Sequence, residues 1–320
     1  MTYAKSRTMR DALIERICDQ MAEDEKIFFI SADMGAPALD KLRARFADRF
    51  INVGVAEQNL INVATGLALE GYTVYALGIA AFLSMRCYEQ IRINLALSSQ
   101  HRQINVNLIA VGCGVSYDMS GPTHHCLEDI CLIRTLPNIH LLCPSDWVSA
   151  AQAAEYCKRQ KAPKYIRLES KALPNIYSPD CQSIWTEGLG QLRSGRDICI
   201  VSTGYPTHLA LRVADKIAAE GIDMGVVDLL LLKPAAEDKI YALLRQYKTV
   251  LTLEEAFTGK GGLDCLVGNI IKANDADIAV KSFGFGDSYC FRSADRDALY
   301  NLNQCGEEHL TAVIRESAGL

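Results

Sequence analysis

Short apolar runs alternate with amphipathic stretches along nearly the whole of this chain, and that alternation restricts the fold more than any other feature. IFFISAD, TVYALGI, VNLIAVG, IHLLCP and YIRLES have the length and the β-branched and aromatic content of buried strands. Between them, spacings such as Tyr88, Ile91, Leu95 and Trp147, Ala151, Ala154 predict helices over roughly Asn59 to Leu69, Phe82 to Ser98 and Ser145 to Arg159. Strand and helix in turn require a mostly parallel sheet with helices on both faces, an α/β fold.

The pattern breaks once. KALPNIYSPDCQSIWTEG has two prolines and no period, after which DICIVSTGYPTHLALRVADKI, MGVVDLLLLKP, TVLTLEEAF, LDCLVGNIIKA and DIAVKSFGFGD resume the alternation. The expected organisation is a first α/β domain over 1–175, a linker over 176–189 and a second α/β domain over 190–320. A chain of 320 residues, 49% hydrophobic, can give each domain its own core. The 33 basic and 38 acidic residues leave a net charge of -5 with neither sign in a long run. That argues against nucleic acid or a membrane surface as a partner and for a small molecule. The opening MTYAKSRTMRDALIERI has no apolar signal core, and no stretch reaches the roughly 18 apolar residues of a membrane span. A cytoplasmic location is expected. Twelve cysteines show no CxxC, and Cys126 and Cys131 come nearest to a ligand-like spacing; they read as small buried hydrophobes, with no metal held by this chain.

One residue does not suit its surroundings. In RFINVGVAEQNLINVATGLALEGY, Glu57 interrupts an apolar and amide run. A carboxylate entering a buried segment costs several kcal/mol unless it is paired or protonated. A helix-terminus acid, favoured by the dipole, is the plain local explanation.

GVAEQN, AAFLSMRCYEQIR, GPTHHCLEDICLIRTLPNIHLLCPSD and YIRLES stand in an order and at spacings that resemble the transketolase family of thiamine-diphosphate enzymes. The resemblance covers nearly the whole chain and is closest to the separately encoded C-terminal halves of split transketolases. LLLLKPAAED and VLTLEEAFTGKGG fit the family's small C-terminal domain. The resemblance implies that Glu57 hydrogen-bonds the thiamine pyrimidine nitrogen N1′ and shares a proton with it, for which a dry setting is what the chemistry needs. It further implies that Phe82 stacks on the aminopyrimidine, that Tyr88 is a second aromatic of the pocket, and that His124 contacts substrate oxygens and moves protons. His125 replaces a glutamine common at that place and is a possible pocket residue. Arg167 matches an arginine that holds substrate phosphate. Arg86 stands where deoxyxylulose phosphate synthases carry an arginine and transketolases do not, and counts as a cofactor-side candidate of open role.

Two family features are missing. No GDG followed about thirty residues later by Asn is present, so the resemblance implies that a diphosphate-binding partner subunit supplies the Mg2+ (or Ca2+) and diphosphate half. A heterotetramer of two plus two chains is expected. Gly112 falls where transketolases place a phosphate-binding histidine, Ser120 where they place a hydroxyl-reading aspartate, and Pro37 near a phosphate-binding serine; neither Arg7 nor Arg10 aligns firmly with the family's N-terminal arginine. These departures imply an atypical sugar or keto substrate, unphosphorylated in the strongest form of the expectation. Two other thiamine enzymes share parts of the pattern. TMRDALIERICDQMAEDEKIFFISADMG is similar to the beta chain of pyruvate dehydrogenase, and FLxxRxYxQ to deoxyxylulose phosphate synthase. A non-catalytic scaffold is the alternative of another class. His208 and the Glu254–Glu255 pair read as a surface histidine and a strand-end acidic pair, and Gly259 to Gly262 as a loop.

Overall fold

The computed structural model describes residues 6–181 and 184–319, so Gln182 and Ser183 of the expected linker lie outside it. Twelve strands are present among the described residues: β1 Ile27–Ser31, β2 Phe50–Asn52, β3 Thr73–Ile79, β4 Val106–Val111, β5 His140–Leu142, β6 Lys164–Leu168, β7 Leu189–Arg193, β8 Asp197–Ser202, β9 Met224–Leu229, β10 Leu231–Lys233, β11 Tyr247–Phe257 and β12 Ala279–Phe285. They form a seven-stranded sheet in the order β10-β5-β6-β4-β3-β1-β2 and a five-stranded sheet in the order β12-β11-β8-β9-β7. All pairings are parallel except β10 with β5 and β7 with β9. The alternation therefore became the α/β layers it predicts.

The run MGVVDLLLLKP behaves differently from a single strand of the second domain. Its first half is β9 in the smaller sheet, and its second half, β10, crosses to the edge of the larger one, pairing Leu231 with Leu142. One apolar cluster accordingly contains Leu108 and Ala110 of the first sheet together with Val201, Val227 and Leu229 of the second. A strand is indifferent to which sheet completes its ladder, so periodicity alone could not reveal this exchange.

The helix expected from Phe82 to Ser98 forms, but widened: Phe82–Arg86 and Ile91–Leu97 are π-helical turns around a short α segment. Such turns are uncommon and recur at functional sites. Among the described residues, no helix is long and apolar enough to cross a membrane, and all twelve cysteines are free, seven of them buried.

His208 is not at the surface. It is buried, with Nε2 2.7 Å from the Ser145 carbonyl. Glu254 and Glu255 are likewise buried rather than exposed at a strand end. Glu254 accepts the Leu263 and Asp264 N–H groups at 2.7 and 2.9 Å and so caps the Leu263–Ala273 helix. Asp228, buried on β9, accepts hydroxyls of Ser145, Thr207 and Tyr177 at 2.7 to 2.9 Å, tying together three separate parts of the chain.

Burial pushes Asp228 and Glu254 each up to about 7, against the donors that favour their ionised forms. A carboxyl raised in the folded state contributes stability that is present below the ordinary carboxylate range and is lost as pH rises through its folded value. Asp228→Asn removes one such ionisation, so the fall in Tm between about pH 5 and about pH 8 becomes shallower than in the unsubstituted protein. Melts followed by circular dichroism check this, and an unaltered slope would count against titration of Asp228 in that interval.

Candidate active site

In a parallel sheet the carboxyl ends of the strands lie at one edge, and the crevice there is widest where neighbouring crossovers leave in opposite directions. That point falls between β1 and β3, because the chain leaves β1 for β2 on one side and leaves β3 for β4 on the other. The segments after β2 and β3 carry the two residues that the sequence singled out.

After β2, Asn52 Oδ1 accepts the N–H groups of Asp33 and Gly54 at 3.1 and 3.0 Å, and Gly54 takes a positive φ of 75 that turns the chain into the Glu57–Leu69 helix. Glu57 is the first residue of that helix, and only 3% of it is exposed. Among the described residues no side chain caps this helix, and Glu57 in its first turn lies near the positive end of the helix dipole. After β3, Phe82 opens the π-helical turn, and Arg86, four residues on, shares its face. Arg86 Nη1 donates to Glu57 Oε2 at 2.6 Å, and its guanidinium carbon lies 4.5 Å from the Phe82 ring centre. His124 approaches Phe82 edge-on, with ring centres 5.6 Å apart, and its Nδ1 is 3.0 Å from Thr123 Oγ1. Glu57, Arg86, Phe82 and His124 thus come together from three segments separated in sequence.

The other expected residues are placed elsewhere or deeper. Tyr88 gives its hydroxyl to the Leu132 carbonyl at 3.2 Å and lies 2.8 Å from Thr135 Oγ1, tying the helical segment to the Asp129–Thr135 helix instead of joining Phe82. Arg167 is 5% exposed; Nε donates to both Asp129 oxygens at 3.0 and 2.9 Å and Nη2 to the Glu255 carbonyl at 2.7 Å. Those bonds hold Nε and Nη2 on the interior side of the guanidinium and tie Arg167 to Asp129 and Glu255. His125 is buried, 3.3 Å from the Asp118 carbonyl through Nε2, and burial lowers its pKa. Cys126 packs against Ser84, Sγ to Oγ 3.4 Å.

Gly112 has a structural partner that the sequence did not suggest. A Cβ there would stand 1.9 Å from Tyr117 Cε2, so the Tyr117 ring fills the space that a side chain at position 112 would need. Tyr117 meets His124 edge-on at 6.3 Å. Burial raises the Tyr117 hydroxyl pKa, with Arg10 acting against it. Arg7 pairs with Glu15, Pro37 opens the Pro37–Arg45 helix, and the Ser120 N–H donates to the Tyr117 carbonyl at 2.9 Å.

Behind the 112–125 loop lies a buried charge network. Arg296 sits 2.5 Å from Glu169 Oε2 and 3.0 Å from Glu255 Oε1, with its guanidinium carbon 3.8 Å from the Tyr205 ring centre. Its backbone N–H donates to Asp118 at 3.1 Å, Glu255 accepts the Val115 N–H at 3.2 Å, and Ser116 donates to Glu169. The second half of the chain therefore holds the loop that presents Tyr117 and His124. Sequence reasoning missed Arg296 because 178 residues separate it from Asp118, with no local motif around it.

Comparison with known families is consistent with this geometry. Residues 5–175 match the model for the transketolase pyrimidine binding domain, and residues 189–310 match the transketolase C-terminal domain. The chain belongs to the transketolase family. It is therefore related to thiamine-diphosphate-dependent enzymes of the transferase type. It is 29% identical over 292 residues to an apulose-4-phosphate transketolase subunit of Actinobacillus succinogenes, covering 91% of this chain and 92% of that one. It is 28% identical over 314 residues to the 6-deoxy-6-sulfo-D-fructose transketolase subunit SqwH of a Clostridium species, covering 98% and 90%. A solved split gene transketolase, an inactive beta4 tetramer, superposes with a TM-score of 0.86 at 29% identity, covering 98% of this chain and 99% of that one.

Replacing Arg167 by Met leaves Asp129 buried without its cation, which costs on the order of 3 to 5 kcal/mol. The expected outcome is a markedly lower Tm. A variant that melts like the unsubstituted chain and loses only affinity for phosphorylated substrate would return Arg167 to substrate binding.

Proposed function

We propose that this chain is the pyrimidine-side subunit of a two-chain, thiamine-diphosphate-dependent transketolase that transfers a two-carbon ketol unit from a ketose to an aldehyde. The observation that carries the reading is the buried Glu57 at an uncapped helix start, joined through one guanidinium to the face of Phe82, whose ring His124 meets edge-on. A carboxylate acceptor next to an aromatic plane suits a flat nitrogen heterocycle, which stacks on the one and shares a proton with the other. Thiamine diphosphate, when bound, supplies the carbon that takes up the ketol unit.

This chain's residues orient that group and handle protons. Glu57 holds the proton at pyrimidine N1′ in a setting closed to bulk water. Phe82 fixes the ring plane. His124, with Nδ1 engaged by Thr123, has Nε2 for protons on substrate oxygens. The sequence has no GDG motif, which supports a separate subunit holding Mg2+ (or Ca2+) and the diphosphate, in an assembly of two plus two chains. The inactivity of the solved split-gene relative as a β4 tetramer supports the same dependence on a partner.

The substrate is an atypical sugar or keto compound. Tyr117 over Gly112 puts a ring where a phosphate-binding side chain would need room, and Arg167 already bonds Asp129 through Nε and the Glu255 carbonyl through Nη2. Relatives named for apulose 4-phosphate and for 6-deoxy-6-sulfo-D-fructose support a varied substrate range in this subfamily.

Glu57→Gln keeps the size and loses the shared proton. In the complex with its partner, turnover falls about a hundredfold or more, in line with loss of an acid–base group, while size-exclusion chromatography shows the same assembly. Full turnover by the variant would overturn the reading. Ribose 5-phosphate is expected to be a poorer acceptor than an unphosphorylated aldose in competition assays, and equal use of both would refute the substrate assignment.

A further inference from the structure

Glu57 and Phe82 share a cover. The Glu57 carboxylate is withdrawn from water, so it needs a donor of charge or of protons close by. Arg86 is that donor, at 2.6 Å, while the same guanidinium lies 4.5 Å from the centre of the Phe82 ring. The Arg86 side chain nevertheless remains 46% exposed, against 4% for Glu57. It therefore covers both groups from the open side of the site instead of anchoring them from behind.

A guanidinium is planar, donates N–H bonds in its own plane and lies well against an aromatic ring. Those are the properties by which an aminopyrimidine would engage the same carboxylate and the same ring. A second plane stacked on the covered face of Phe82, with its edge toward Glu57, would need the space that Arg86 holds. Resting on the function proposed above, we infer that Arg86 is a resident cap. It occupies the pyrimidine position in the cofactor-free chain, keeps Glu57 paired there, and swings toward solvent when the cofactor enters.

A cap and a cofactor-holding arginine differ in the sign of their effect. Arg86→Met leaves Glu57 buried and unpaired, so the cofactor-free chain melts at a lower temperature, and the double variant Glu57→Gln/Arg86→Met recovers most of that loss. Arg86→Gln keeps an uncharged N–H donor for Glu57 and melts between the two, which preserves the test if Arg86→Met folds poorly. The second measurement is calorimetric titration of thiamine diphosphate with Mg2+ into the complex of the full chain and its diphosphate-binding partner. The cap predicts that Kd falls about tenfold in Arg86→Met, equal to about 1.4 kcal/mol, with a smaller fall in Arg86→Gln. Weaker or unchanged binding by both variants overturns the cap and makes Arg86 a cofactor ligand or a bystander. An unaltered Tm in Arg86→Met overturns it from the other side. Absence of binding by the unsubstituted complex would instead remove the thiamine reading itself, and the cap with it.

Discussion

A carboxylate withdrawn from water at the start of an uncapped helix is the constraint around which the rest of the site is arranged. Glu57 is tolerated there because the Arg86 guanidinium pairs with it and the positive end of the helix dipole favours an acid in the first turn. Its position follows from the sheet. The parallel strands β1 and β3 deliver their carboxyl ends to one edge, and the segments beyond β2 and β3 bring the acid and the aromatic ring into contact with the same guanidinium. The π-helical turn at Phe82–Arg86 sets the ring and the cation on a common face.

The second half of the chain does more than follow the first. β10 completes the edge of the larger sheet, and Asp228 gathers hydroxyls from Ser145, Tyr177 and Thr207. Arg296 reaches the 112–125 loop through Glu169, Glu255 and Asp118. A buried network of this kind is costly if incompletely paired, so it holds one arrangement of the loop. His124 consequently meets Phe82, and Tyr117 meets His124, from a segment braced by residues more than a hundred positions away.

The legibility of this protein in its sequence was uneven, for physical reasons. Periodicity revealed strands and helices because it records which face is buried, and Glu57 stood out because a charge inside an apolar run has few stable uses. The resemblance named Phe82 and His124, which the structure brings to Glu57. Partnership was not legible. Arg167 and Arg86 are both arginines beside acids, yet one is fully interior on Asp129 and the other half open over Phe82. Nothing local to YIRLES or SMRCYE distinguishes them. His208 and Glu254–Glu255 looked superficial because polar residues usually are; their burial depends on hydrogen bonds to Ser145, to the amides of Leu263 and Asp264, and on the Arg296 charge. The crossing of β10 and the filling of the space over Gly112 by Tyr117 are properties of the packed molecule only.

If this chain contributes one side of a divided cofactor site, it should not hold the cofactor by itself. Titrating thiamine diphosphate and Mg2+ by calorimetry into the full chain alone, and then into the chain co-assembled with its diphosphate-binding partner, tests that most directly. Heat of binding that appears only with the partner present is the predicted result. Saturable, tight binding by this chain alone would contradict it, because the diphosphate would then have to be held by residues whose roles in the structure are those of the fold.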